Sequence, residues 1–277
     1  VGDFAQNRNL KPRALALKMK EQKMKNQQIL RKLASARLGL ALAGLTVLAT
    51  SGISAAAEVL PPSSLPYGKS YQEWSAKWWQ WTLEQSTNDL QLVSGTDQCS
   101  LLGDRVRFLA GVYIPGTGGI SVQTNTVYIP ENTPLFFPIL SVWVDNSACP
   151  TFTSFTADEL AAQAAGEWSA VTVTSCTIDG VAVAGLNDPA TSEYLTQAAP
   201  FSYTTAAKDN ILAGLYGVPC VPGGLTIYPA VADGVYLMVA PLWTGKHKIH
   251  IVGIVGPADA PYVKDDITYE ITVGPLL

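Results

Sequence analysis

Leu135-Phe-Phe-Pro-Ile-Leu-Ser-Val-Trp-Val144 is too continuously apolar for a strand with one face in water. It reads as a strand buried in a core. Working outward, short strand-like runs recur between Gly, Pro and Asn. Residues 105–114 alternate at first and stop at the turn Pro115-Gly-Thr-Gly-Gly119. Residues 121–129 are expected to pair back against them, ending at Pro130. Residues 171–178, 180–183, 235–242, 247–255 and 267–273 complete the strands. Many short strands, frequent turn signals and few helices predict a mainly β fold: a β-sandwich or jelly-roll-like single domain. Strands do not alternate with helices, which argues against a doubly wound α/β fold.

One long helix interrupts the pattern. After a Pro-rich lead-in over residues 59–68, Ser70 can cap a first turn while Glu73, three residues on, reaches back. At 100° per residue, Tyr71, Trp74, Trp78 and Trp81 fall on one stripe, with Ala76, Trp79 and Leu83 opposite. Glu73, Lys77, Gln80 and Glu84 form the remaining edge. A helix apolar on two sides is expected between layers, with one edge wet. A second capping box, Thr156-Ala-Asp-Glu159, opens a shorter helix expected to close at Gly166.

Ahead of this region lies a leader with the three parts of a secretory signal peptide. Residues 19–37 are basic, an apolar run follows from Leu38 to Leu48, and small residues lead to Ala55-Ala-Ala57. The apolar run is about half the ~20 residues a membrane span needs. The expected organisation is therefore residues 1–57 as upstream segment plus helical signal peptide, and residues 58–277 as one exported β-rich domain. Residues before Met19 are left out of fold reasoning. Ten of the 18 Lys and Arg but only three of the 22 Asp and Glu precede Val59. The remainder is strongly acidic and offers no basic stripe for phosphates, so nucleic acid is not an expected partner. Nor is a membrane, once the leader is removed.

Cys99, Cys149, Cys176 and Cys220 all follow the expected cleavage site. An even count in an exported chain predicts two disulfides in a periplasmic or extracellular setting. Three connectivities are possible, with a lean toward Cys99–Cys149 and Cys176–Cys220.

The segment Tyr67-Gly-Lys-Ser-Tyr-Gln-Glu-Trp-Ser-Ala-Lys-Trp-Trp-Gln-Trp81, together with Leu135-Phe-Phe-Pro-Ile-Leu140 and Gly245-Lys-His-Lys-Ile-His250, resembles a set of exported bacterial proteins with no established activity. The likeness implies export and a single domain, and carries over no catalytic residue. Members of that set often have a Cys shortly before the Phe-Phe-Pro segment. Here that stretch reads Gln123-Thr-Asn-Thr-Val-Tyr128, so the set's disulfide pattern does not transfer.

Candidate chemistry is sparse. His247 and His250 lie on an expected strand, where odd spacing sends them to opposite faces. No joint metal site is expected, and no cofactor. Glu73 with Asp145, assisted by His250, forms the carboxylate set that a carbohydrate-active hydrolase or lyase would need. The plainer reading is that Glu73 caps its helix and Asp145 opens a turn. Trp79, Trp143 and Trp243 are the aromatics least committed to the core, and could stack on a sugar or line a pocket. No G-x-S-x-G elbow is present, and Asp265-Asp266 lacks the ligand spacing of a calcium loop. The leading expectation is a non-enzymatic, ligand-binding or cell-surface β-sandwich protein, with a glycan or small molecule as partner. The oligomeric state is left open.

Overall fold

The structure, a computed structural model, describes residues 56–87, 99–101, 106–110, 119–147, 152, 154–214 and 219–275. In chain order, β1 (Val59–Leu60), α1 (Tyr71–Leu83), β2 (Cys99–Leu101) and β3 (Arg107–Leu109) come first. Next are β4 (Ile120–Pro130), β5 (Leu135–Asp145), α2 (Ala157–Trp168), β6 (Val171–Ile178) and β7 (Val181–Ala182). The remainder is β8 (Leu195–Gln197), β9 (Phe201–Thr204), α3 (Ile211–Gly214), β10 (Thr226–Val239), β11 (Gly245–Val255) and β12 (Val263–Gly274). The fold is mainly β, as the spacing of strand signals predicts, and its strands form two sheets.

The seven-stranded sheet is organised around β10. One edge of β10 is paired antiparallel with β5 from Ala230 to Val239. The other edge is shared in succession by β9, β8 and β1. β5 in turn accepts β3 in parallel, and β3 carries β2. Two prolines lie inside these long strands, where a missing N–H would break a ladder. Each sits at a register shift: Pro138 beside the step at Val235/Tyr236, and Pro229 within the step between Ile227 and Ala230.

The five-stranded sheet runs β4-β12-β11-β6-β7. Its period-2 burial is clean on β11, where His247, Ile249, Ile251 and Gly253 are buried and the residues between them are not. Among the described residues, the expected hairpin of residues 121–129 with residues 105–114 is not formed. β4 instead pairs in parallel with β12 over its whole length, whereas β3 joins the other sheet. Buried Ser121, Asn125, Val127 and Ile129 alternate with wetter residues, which suits β4 to a sheet edge with one solvated face.

The sheets meet closely where β11 crosses β5. A Cβ on Gly253 would lie 2.8 Å from the Leu140 Cβ and 3.1 Å from the Ile139 carbonyl oxygen. Only glycine permits that approach. Beyond Leu140 the strand changes character. Residues 135–140 are buried, but Ser141 to Asp145 are only half-buried, so the apolar run is not core throughout.

α1 packs against β5, β8, β9 and β10. The capping box holds as expected: the Ser70 side chain accepts from the Glu73 backbone N–H, and Glu73 Oε2 accepts from the Ser70 backbone N–H at 2.7 Å. Both apolar stripes are used, and each deep indole N–H finds an acceptor. Trp74 Nε1 donates to the Pro66 carbonyl, Trp78 Nε1 to the Leu109 carbonyl, and Trp79 Nε1 to the Tyr236 hydroxyl. That satisfies the polar tip of each buried aromatic. α2 continues two residues past Gly166, because Trp168 is buried against the sheet layer and donates to the Pro189 carbonyl. Among the described residues, no helix is long and apolar enough to cross a membrane.

The cysteine expectation needs correction. Cys176 is a free thiol on an inward position of β6, so the Cys176–Cys220 pairing is not formed. Burial pushes its thiol up to about 12, leaving it an inert apolar residue. The side chain of Cys99 and all of Cys149 lie outside the described residues.

Candidate functional site

The half-buried end of β5 is half-buried because it faces a void. A cavity of about 660 Å³ lies between the two sheets beside the β11–β12 hairpin. Pro138, Leu140 and Trp143 of β5 line one side, and Ile251, Val255 and Ile267 line the other. Trp78 and Trp79 of α1 and Trp168 of α2 complete an almost wholly apolar lining. The register shift beside Pro138 helps to shape it, since β5 bends there instead of continuing flush along β10.

Two of the three tryptophans singled out from sequence are brought together here. The rings of Trp79 and Trp143 lie 5.0 Å apart and tilted by 36°, and both border the cavity. Trp79 is fixed by its bond to Tyr236, and Trp143 by donating Nε1 to Asp145 Oδ2 at 3.0 Å. Trp243 is elsewhere. Its ring stands edge-on to His247 at 4.4 Å and its carbonyl accepts from His247 Nε2 at 2.7 Å.

The expected catalytic set does not assemble. The Glu73 carboxylate is exposed and committed to Ser70, whose N–H and hydroxyl hold it below the usual carboxylate range. Asp145 is saturated with donors: Trp143 Nε1 and the Tyr203 hydroxyl on Oδ2, and the Ser147 N–H and hydroxyl on Oδ1. It positions Trp143 rather than facing a substrate. His250 lies on the outward face of β11, its Nε2 2.8 Å from Asp266 Oδ1. None of the three lines the cavity, and no hydrogen bond joins any two of them. His247, as the alternation predicts, faces the other way. It is buried, with Nδ1 2.8 Å from Asp179 Oδ2, so both ring nitrogens are directed at oxygen acceptors. Among the described residues, no group of His, Cys, Asp and Glu is arranged to hold a metal ion.

The carboxylate deeper in the cavity is Asp265, expected from its sequence neighbourhood to matter only as an incomplete calcium loop. It faces inward in phase with buried Ile267, Tyr269, Ile271 and Val273 of β12. It pairs in register with Ser121 of β4 on one side and Gly253 of β11 on the other. Burial among apolar walls pushes its carboxyl up to about 7. Ser121 Oγ is buried and has no hydrogen-bond partner. A signal for Asp265 does exist in the sequence: an acid occupies a position whose period-2 neighbours are all large and apolar.

No protein-family model matches the chain, and no curated protein matches it. Among solved structures, one match is "Solution Structure of Amebosin", 10% identical, covering 56% of this chain and 97% of that chain, with a TM-score of 0.20. A likeness that low carries no argument about this chain.

Proposed function

We propose that this is an exported, non-enzymatic β-sandwich protein that binds a small, largely apolar molecule between its sheets. The observation that carries the reading is the 660 Å³ cavity walled by tryptophans held in place by hydrogen bonds. Its size and lining are those of small-molecule sites, which pair apolar walls with a few placed polar groups. A pyranose is a poorer fit, because Ser121, Ser141 and Asp265, with Glu167 exposed at the rim, are too few to satisfy its hydroxyls. A carboxylate-pair hydrolase lacks support, since Glu73, Asp145 and His250 are each engaged elsewhere.

Export rests on the three-part leader and on four cysteines that all follow it, a placement suited to an oxidising compartment. N-terminal sequencing of the native product is expected to begin near Glu58. For the binding reading, the neutral fluorophore N-phenyl-1-naphthylamine is expected to bind the purified protein one to one and to quench tryptophan emission. Trp143→Ala should weaken it. Failure of this dye and of a panel of apolar ligands to bind folded protein would remove the proposal.

A further inference from the structure

We infer that the molecule held in the cavity carries a protonated amine on its apolar body, received by Asp265 and Ser121. This rests on the cavity being a ligand site, and deepens that reading by naming the ligand's chemistry.

Two inward-facing side chains have polar groups left unsatisfied. Ser121 Oγ is buried without a partner. Among the described residues, the Asp265 carboxylate makes no hydrogen bond or ion pair, and both residues border the cavity. They are direct neighbours in the β4–β12 register. Unpaired polar groups in an apolar enclosure are costly, so the pair is suited to a group that arrives from outside. The described cations nearby are turned away. Lys264 lies 2.9 Å from Asp266, on the opposite side of β12, and His250 pairs with that same carboxylate.

An ammonium group answers both oxygens, since it donates three hydrogen bonds and accepts none. A hydroxyl would leave a carboxylate without a countercharge, and a ligand carboxylate would be repelled.

Proton balance bears on the test. Among the described residues, the only other titratable group lining the cavity is Glu167 of α2, exposed at the rim. β4, β5 and β11 contribute none, and Lys264 and Asp266 face the other side. With its carboxyl raised to about 7, Asp265 is ionised at pH 8 and protonated at pH 5. An amine with an ordinary alkyl pKa stays charged at both.

The test compares 4-phenylbutylamine, 4-phenylbutanol and 4-phenylbutyrate by isothermal titration calorimetry at pH 8 and pH 5. At pH 8 the amine is expected to bind at least about tenfold more tightly than the alcohol, the range of a charge-assisted hydrogen bond. The acid should bind most weakly. At pH 5 the amine's advantage should shrink, because it must displace the Asp265 proton. Asp265→Asn should bring amine and alcohol together at both pH values, with near-ultraviolet circular dichroism confirming the fold. If amine and alcohol bind the wild type equally and Trp143→Ala weakens both, the cavity is a ligand site but the amine inference fails. Should Asp265→Asn keep the full preference, it fails likewise. If none of the three binds folded protein, the ligand-site reading itself falls. Should Asp265→Asn not fold, the three-compound comparison on the wild type still decides.

Discussion

The two halves of β5 use the same kinds of residue for opposite ends. In the first half, Phe136 is fully buried, stacked on Tyr236 at 5.5 Å with Tyr71, Trp74 and Phe108 edge-on or tilted around it. In the second half, half-buried Trp143 meets Trp79 and borders the cavity. Apolar character alone does not distinguish them. What does is where each ring sits: Phe136 is enclosed by other rings, whereas Trp143 borders the cavity. Such a contrast separates residues that maintain the fold from residues that shape a vacancy within it.

The comparison can be broken at its filled end first. Phe136→Ala removes a ring from a closed cluster and is expected to cost about 3–5 kcal/mol, read from urea denaturation. A loss below about 1 kcal/mol would mean that the two halves are not packed differently.

Asp265→Asn sharpens the contrast at the hollow end and carries the opposite sign. Because the folded carboxyl titrates near 7, above its ordinary 3.8, the stability it contributes is fully present below about pH 4. It is lost as pH rises toward 7, and flat above. The variant should therefore be more stable than the parent at pH 8, by roughly 2–4 kcal/mol, with the difference vanishing near pH 4. Parallel urea titrations at the two pH values measure it.

Trp143→Ala should cost only about 1–2 kcal/mol, less than a core aromatic, because the ring is half-buried at the cavity. Smallest of all, Ser70→Ala should cost about 1 kcal/mol by uncapping α1, and leave affinity for the naphthylamine dye unchanged. A large fall in affinity there would tie the exposed helix start to the cavity after all.

Much of this was legible locally. Both capping boxes follow from residues three apart, and both stripes of α1 follow from helical spacing. Trp79 and Trp143 stood out because neither was claimed by the helix's main stripe. The pairing of β4 with β12 was not legible: it joins segments far apart in the chain, and no local signal distinguishes it from a hairpin with β3. Asp265 was obscured by its neighbour, since an Asp-Asp pair suggests a cation loop until β12 assigns one acid to each face. Cys176 was misread because counting thiols ignores where a strand points them, and its inward position on β6 gives it no partner.

β10 has one further implication, for the order of assembly. Its last two residues, Met238 and Val239, bond to Val59 and Leu60, so the first strand closes on one that comes far later in the chain. A ribosome delivers Leu60 long before it delivers Met238. The earliest strand must therefore wait, unmatched, until β10 has been made, and only then can the seam be sewn. Contacts so distant along the chain place this protein among the slower folders and leave its first segment open to chaperone capture in the interval.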